Sequence, residues 1–192
     1  MPASAHEVAA EIRRRLPGVP VMKLHKLLYY CQGHHLAHFG TALFEDAVVA
    51  FDNGPVVVNL WQDEKYGAIM EPPSGHRFTE GELNTIGYVC SRYGRMTGRE
   101  LAIQTHGETP WQKANEGRQP GTSKRIDQNS IREYFEDADR ADREEDPLMV
   151  DSDALQEMLA GASGRARQVG RPDDINALIA RRNELAKKLG RG

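Results

Sequence analysis

The chain is 192 residues long, with 28% charged and 39% hydrophobic side chains and a formal net charge of -3. That length is ample for one ordinary domain with residues to spare, so neither disulfide nor metal staples are required. A pI near 6.2 argues against a general nucleic-acid binder, and no apolar run approaches the roughly twenty residues that a membrane span needs.

The first fifteen residues mix Glu7 and Glu11 with three arginines, a pattern expected of neither a secretory signal nor an anchor. Ser4 and Glu7, three apart ahead of Val8, Ile12 and Leu16, form a capping box that opens an amphipathic helix, and Pro17-Gly18-Val19-Pro20 ends it. A longer helix follows to Phe39. Its Leu24, Leu27, Leu28, Cys31, His35 and Phe39 recur at steps of three and four, marking a core strut with one apolar side. Lys23, Lys26 and Gln32 fall off that stripe, and Lys23, Lys26 and Tyr30 are expected to place positive charge beside aromatic area on an exposed helix side. Gly40 is placed to take a left-handed terminal conformation.

Val48, Val49 and Phe51, next to the Asn53-Gly54 turn pair, predict a small antiparallel ribbon. Pro55 suits the first turn of the next helix, whose buried side is Val57, Leu60 and Trp61. Thr79 with Glu82, and Thr97 with Glu100, are two further capping boxes, flanked by the staple pairs Phe78/Leu83 and Met96/Leu101. Between them Ile86, Val89, Cys90 and Tyr93 line one face. Thr109-Pro110-Trp111-Gln112 reads as cap, first-turn proline, buried aromatic and capping glutamine. Glu116 to Lys124 is a predicted loop, and Ile131, Tyr134 and Phe135 lie on a closing helical turn. Cys31 and Cys90, the two cysteines, sit on apolar helix faces and read as reduced thiols of a cytoplasmic protein.

Beyond residue 136 the composition changes. Eleven acidic side chains face Arg140 and Arg143 between Glu133 and Glu157, so residues 137–150 read as an acidic linker or solvated helix. Residues 151–192 form a helical extension in which Ile175, Leu178, Leu185 and Leu189 share a face. That face predicts docking on the chain's own domain, on a second copy in a homo-oligomer, or on another protein.

Three separated segments, Lys23-Leu24-His25-Lys26-Leu27-Leu28-Tyr29-Tyr30, Gly54-Pro55-Val56-Val57 and Thr105-His106-Gly107-Glu108-Thr109-Pro110-Trp111, together resemble the Panacea domain, the family of the SocA-like antitoxins. The resemblance implies a mainly α fold, a compact multi-helix domain over residues 1–136 with a small antiparallel strand pair. It also implies a non-enzymatic role: binding and neutralising a cognate protein toxin encoded beside it. A related alternative is a proteolytic adaptor that delivers the toxin to a bacterial protease.

The residues allow a sharper chemistry to be weighed against packing. Cys31, His34 and His38 share a helical spacing but lack a fourth ligand, so no metal or other cofactor is expected. His106 and Glu108 could form a proton-transfer pair in a small hydrolase or transferase, yet no nucleophile or phosphate cradle is fixed beside them. A protein interface is the favoured reading, without membrane or direct nucleic-acid contact. Its candidate residues are Lys23, Lys26, Tyr30, Gly54, Pro55, His106, Glu108, Trp111, Ile175, Leu178 and Leu185.

Overall fold

The chain divides into two units, Met1–Asp142 and Arg143–Gly192, and the computed structural model describes residues 2–66 and 75–145. The fold is mainly α. Its described elements are α1 (Ala5–Arg15), α2 (Val21–Phe39), β1 (Val48–Phe51), β2 (Gly54–Val57), α3 (Val58–Lys65), α4 (Glu80–Tyr93), α5 (Gly98–His106), α6 (Thr109–Asn115), β3 (Lys124–Arg125) and α7 (Gln128–Glu145).

The three predicted capping boxes are all present. Ser4, Thr79 and Thr97 each accept a hydrogen bond from the backbone N–H three residues on, while Glu7, Glu82 and Glu100 reach back to the cap. Each box satisfies two helix-end donors that would otherwise be orphaned, which fixes where α1, α4 and α5 begin. At the other end of α2, Gly40 takes φ 69°, a left-handed conformation that costs glycine nothing.

α2 is the central strut, but it is buried on all sides rather than along one stripe. Every residue from Leu24 to Leu36 is buried, because α1, α4, α5 and β2 surround it. Its polar residues survive there by finding partners. Gln32 accepts from the N–H groups of Leu43 and Phe44, both at 3.1 Å, and donates to the Phe44 carbonyl at 3.0 Å. One amide thus organises the turn that leads the chain back from α2 to the sheet.

The sheet has three strands in the order β2-β1-β3, all antiparallel, with Val48 opposite Val57 and Val49 opposite both Val56 and Arg125. β3 is absent from the sequence expectation because two exposed basic residues in a loop carry no strand signature. Pro55 also departs from expectation: it belongs to β2, opposite Ala50, and α3 starts three residues later at Val58. A proline on an edge strand loses no ladder bond. α7 is longer than the single turn predicted and continues to Glu145, so residues 137–145 are helical.

Candidate functional site

The three segments singled out in the sequence meet at one junction, where α2, the β1–β2 hairpin, α5 and α6 come together. Lys26 on α2 is only 1% exposed, and its Nζ donates to the Pro55 carbonyl at 2.9 Å. Burial holds its ammonium down to about 8. Gly54 lies against the same side chain. A Cβ there would sit 2.7 Å from Thr105 Oγ1 and 2.8 Å from Lys26 Cε, and the residue adopts φ 93°. Both space and backbone conformation therefore demand glycine. Thr105 donates its hydroxyl to the Ala102 carbonyl at 3.0 Å.

Four residues along α2, the Tyr30 hydroxyl donates to Glu108 Oε1 at 2.7 Å, with both residues buried. Glu108 is the N-cap residue of α6, yet its side chain makes no cap bond because it points into the junction. Burial pushes its carboxyl up to about 7, against the pull of the Tyr30 and Tyr29 hydroxyls, which favour the carboxylate. Among the described residues Glu108 Oε2 and the Tyr29 hydroxyl have no hydrogen-bond partner of good geometry. Tyr30 is stacked on Tyr93 of α4, with centroids 4.1 Å apart and planes at 10°, so the carboxyl is walled by aromatic area.

Trp111 on α6 is 8% exposed and donates its indole N–H to the Phe51 carbonyl at 3.3 Å, tying α6 to the end of β1. His106 stacks on its ring at 4.0 Å. The imidazole is held below its ordinary value by burial and by the charges of Lys26 and Arg118. Among the described residues His106 and Glu108 make no hydrogen bond to each other: one stacks and the other faces Tyr30. They occupy packing positions, not those of an acid–base pair.

The expected exposed patch of Lys23, Lys26 and Tyr30 is corrected. Lys26 and Tyr30 are each 1% exposed, because β2 and α5 pack over Lys26 while Tyr93 of α4, Glu108 and Phe135 of α7 cover Tyr30. A lysine can enter such a seam when its apolar stem is covered and its head meets a carbonyl. Lys23 is half-buried, and its Nζ donates to the carbonyl of Gly94, the C-cap of α4, at 2.7 Å, where a cation suits the helix dipole. Gly54, Pro55, Glu108 and Trp111 are buried too. Thr109 is likewise not the cap of α6 but its first helical residue. Ile175, Leu178 and Leu185 lie outside the described residues.

Cys31 is buried, and burial raises its thiol well above the ordinary range. His34 Nε2 lies 3.1 Å from the Tyr93 hydroxyl, and His38 is exposed at the end of α2.

Several residues of the junction carried no role in the sequence reading. His25 Nδ1 accepts from the Val57 N–H at 3.4 Å, which places its proton on Nε2, 3.8 Å from Glu64 Oε2. Burial, with Lys26 and Arg13 nearby, brings its pKa down to about 4. Gly33 is the other omission: a Cβ on it would overlap the Phe135 ring of α7. A glycine in mid-helix is the signal that could have found it.

Residues 24–112 match the family model described as "Antitoxin SocA-like, Panacea domain". No curated protein and no solved structure matches the chain. The matched span begins at Leu24 on α2 and ends at Gln112 on α6, so it encloses the Lys26–Pro55, His25–Val57, Tyr30–Glu108 and Trp111–Phe51 contacts. Over residues 24–112 the chain is similar to the SocA-like Panacea domains.

Proposed function

We propose that this protein is an antitoxin that neutralises a cognate protein toxin by binding it directly. The observation that carries the reading is the match of residues 24–112 to the SocA-like antitoxin model, which spans the junction the three segments build. The polar residues of that junction are internal: Lys26, Glu108 and Thr105 are all buried, so they fix the relative positions of α2, the hairpin, α5 and α6. Binding then falls to surfaces outside this junction, which holds the surrounding elements in place.

The reading carries further proposals: a cytoplasmic location, a domain spanning residues 1–136 and an occlusive mode of action with no chemistry of its own. Among the described residues no helix is long and apolar enough to cross a membrane. The test is to express the product of the adjacent gene alone and with this chain. Growth arrest relieved by co-expression, with the two proteins co-purifying at a fixed ratio, supports the reading. Relief of arrest without any physical complex would defeat direct neutralisation.

A further inference from the structure

α7 lies outside the span that matches the family model, yet it fills a groove whose walls lie inside that span. The floor is Gly33. With no side chain there, the Phe135 ring drops onto α2, 5.7 Å from the Tyr29 ring, 5.9 Å from Tyr30 and 4.8 Å from His34, in edge-to-face arrangements. Ile131, one turn earlier on α7, is equally buried. Farther along, contact becomes polar. Asp139 Oδ1 lies 3.5 Å from His34 Nδ1, and Asp142 Oδ2 pairs with Arg92 on α4 at 2.9 Å.

Ile131, Phe135, Asp139 and Asp142 fall at steps of four, four and three, so one stripe of the helix makes every one of these contacts. Glu133, Glu136 and Asp137, off that stripe, are exposed. This is the layout of an amphipathic helix read by a groove: an aromatic anchor in a slot, followed by one carboxylate beside an imidazole and another beside a guanidinium. The Arg92–Asp142 pair is about half exposed on both sides, where ion pairs contribute little, so the seat depends mainly on the anchor.

We propose that this groove is a partner-binding surface, with α7 as its resident occupant. The partner presents an amphipathic helix bearing an aromatic anchor, with carboxylates four and seven residues later, and takes the place of α7. The inference rests on the antitoxin reading, in that the partner is the toxin. α7 shows what the groove accepts; the Gly33 slot sets the anchor, His34 offers a ring nitrogen to the first carboxylate and Arg92 a positive charge to the second.

The test uses the full chain with Arg92→Cys and Asp142→Cys in a Cys90→Ser background, closed by a reducible bismaleimide so that α7 cannot leave. Relative to the same double-cysteine chain before cross-linking, the closed form is expected to bind the adjacent gene's product at least tenfold more weakly, and reduction to return binding to that chain's own level. Unchanged binding with α7 locked would overturn the proposal. A second arm needs no toxin. A fluorescent peptide of residues 128–142 is titrated into full-length Phe135→Ala, whose own α7 has lost its anchor. Binding at least tenfold tighter than to the wild type, and none to the cross-linked form, is expected. No binding to a Phe135→Ala protein that melts cooperatively would overturn the groove. If that variant does not fold, Asp139→Lys with Asp142→Lys loosens α7 instead. A toxin that fails to bind even the wild type defeats the antitoxin reading, while the peptide arm still decides whether the groove accepts a helix.

Discussion

Tyr30 and Glu108, 78 residues apart in sequence, share a buried 2.7 Å hydrogen bond that joins the middle of α2 to the start of α6. Tyr30→Phe keeps the ring stacked on Tyr93 but leaves Glu108 Oε1 without its donor. A buried acceptor so stranded costs about 1–3 kcal/mol. Urea denaturation should show that loss with an unchanged m-value. A double-mutant cycle with Glu108→Leu should return a coupling of at least about 0.5 kcal/mol. Additive losses would mean that the two side chains stabilise the junction independently.

Glu108 also predicts a pH dependence. Its carboxyl is pushed up to about 7 by burial, against an ordinary value of 4.5. Between those values the folded chain holds a proton that the unfolded chain has released. The stabilisation is therefore complete below about pH 4.5 and is lost as pH rises through about 7. His25 works in the opposite sense: held down to about 4 from 6.5, it adds stability as pH rises through that window. The two largely cancel in the wild type. Subtracting the Glu108→Gln profile isolates the carboxyl, and the variant should gain about 3 kcal/mol on the wild type between pH 4.5 and 7.5. Parallel profiles would show that Glu108 titrates as it does in the unfolded chain.

The helix starts were legible because capping boxes are local: Ser4/Glu7, Thr79/Glu82 and Thr97/Glu100 need only their own turn to be satisfied. The mainly α architecture and the β1–β2 hairpin followed from similarly local signals. What could not be read was that the polar side of α2 faces inward as well as the apolar one. Periodicity assigns Lys26 to water because it weighs residue type, whereas the fold supplies a carbonyl from a hairpin 29 residues away. β3 escaped for the same reason, since its pairing with β1 is decided entirely by tertiary contact. The junction residues were thus identified by type and position while their burial was missed. Their partners lie on other elements, and the distances between those elements are not encoded in any one segment.

Gly33 and Gly54 each leave room for a specific neighbour, and substitution should separate their roles. Gly54→Ala forces a Cβ against Thr105 and Lys26 at a positive φ, and it should cost about 1–3 kcal/mol of global stability. Gly33→Ala gains up to about 1 kcal/mol of helix propensity but displaces Phe135, so its damage should be concentrated on α7. Hydrogen exchange distinguishes them. Faster exchange across residues 128–142 alone is expected for Gly33→Ala, and faster exchange across α2, β2 and α5 together for Gly54→Ala. Uniform acceleration in both would contradict a separable α7.

Lys26 offers the most direct test of whether the junction is built for stability at all. Burial lowers its ammonium to about 8 from 10.5, so at pH 7 the folded chain bears the cost of a charge taken out of water with one carbonyl as its partner. Lys26→Met keeps the length of the stem and removes that cost. It also strands the Pro55 carbonyl, at about 1–3 kcal/mol, so near pH 7 the two changes should roughly offset. Lys26→Ala removes the stem as well and should lose about 2–5 kcal/mol through the cavity left behind. The pH profile carries the decisive sign. A base whose folded pKa is depressed gives up its proton in the folded state first, so the unfolded chain binds more protons and stability rises with pH. Between about pH 8 and 10.5 the wild type should therefore gain on Lys26→Met. A flat difference across that range would place the Lys26 ammonium in contact with water.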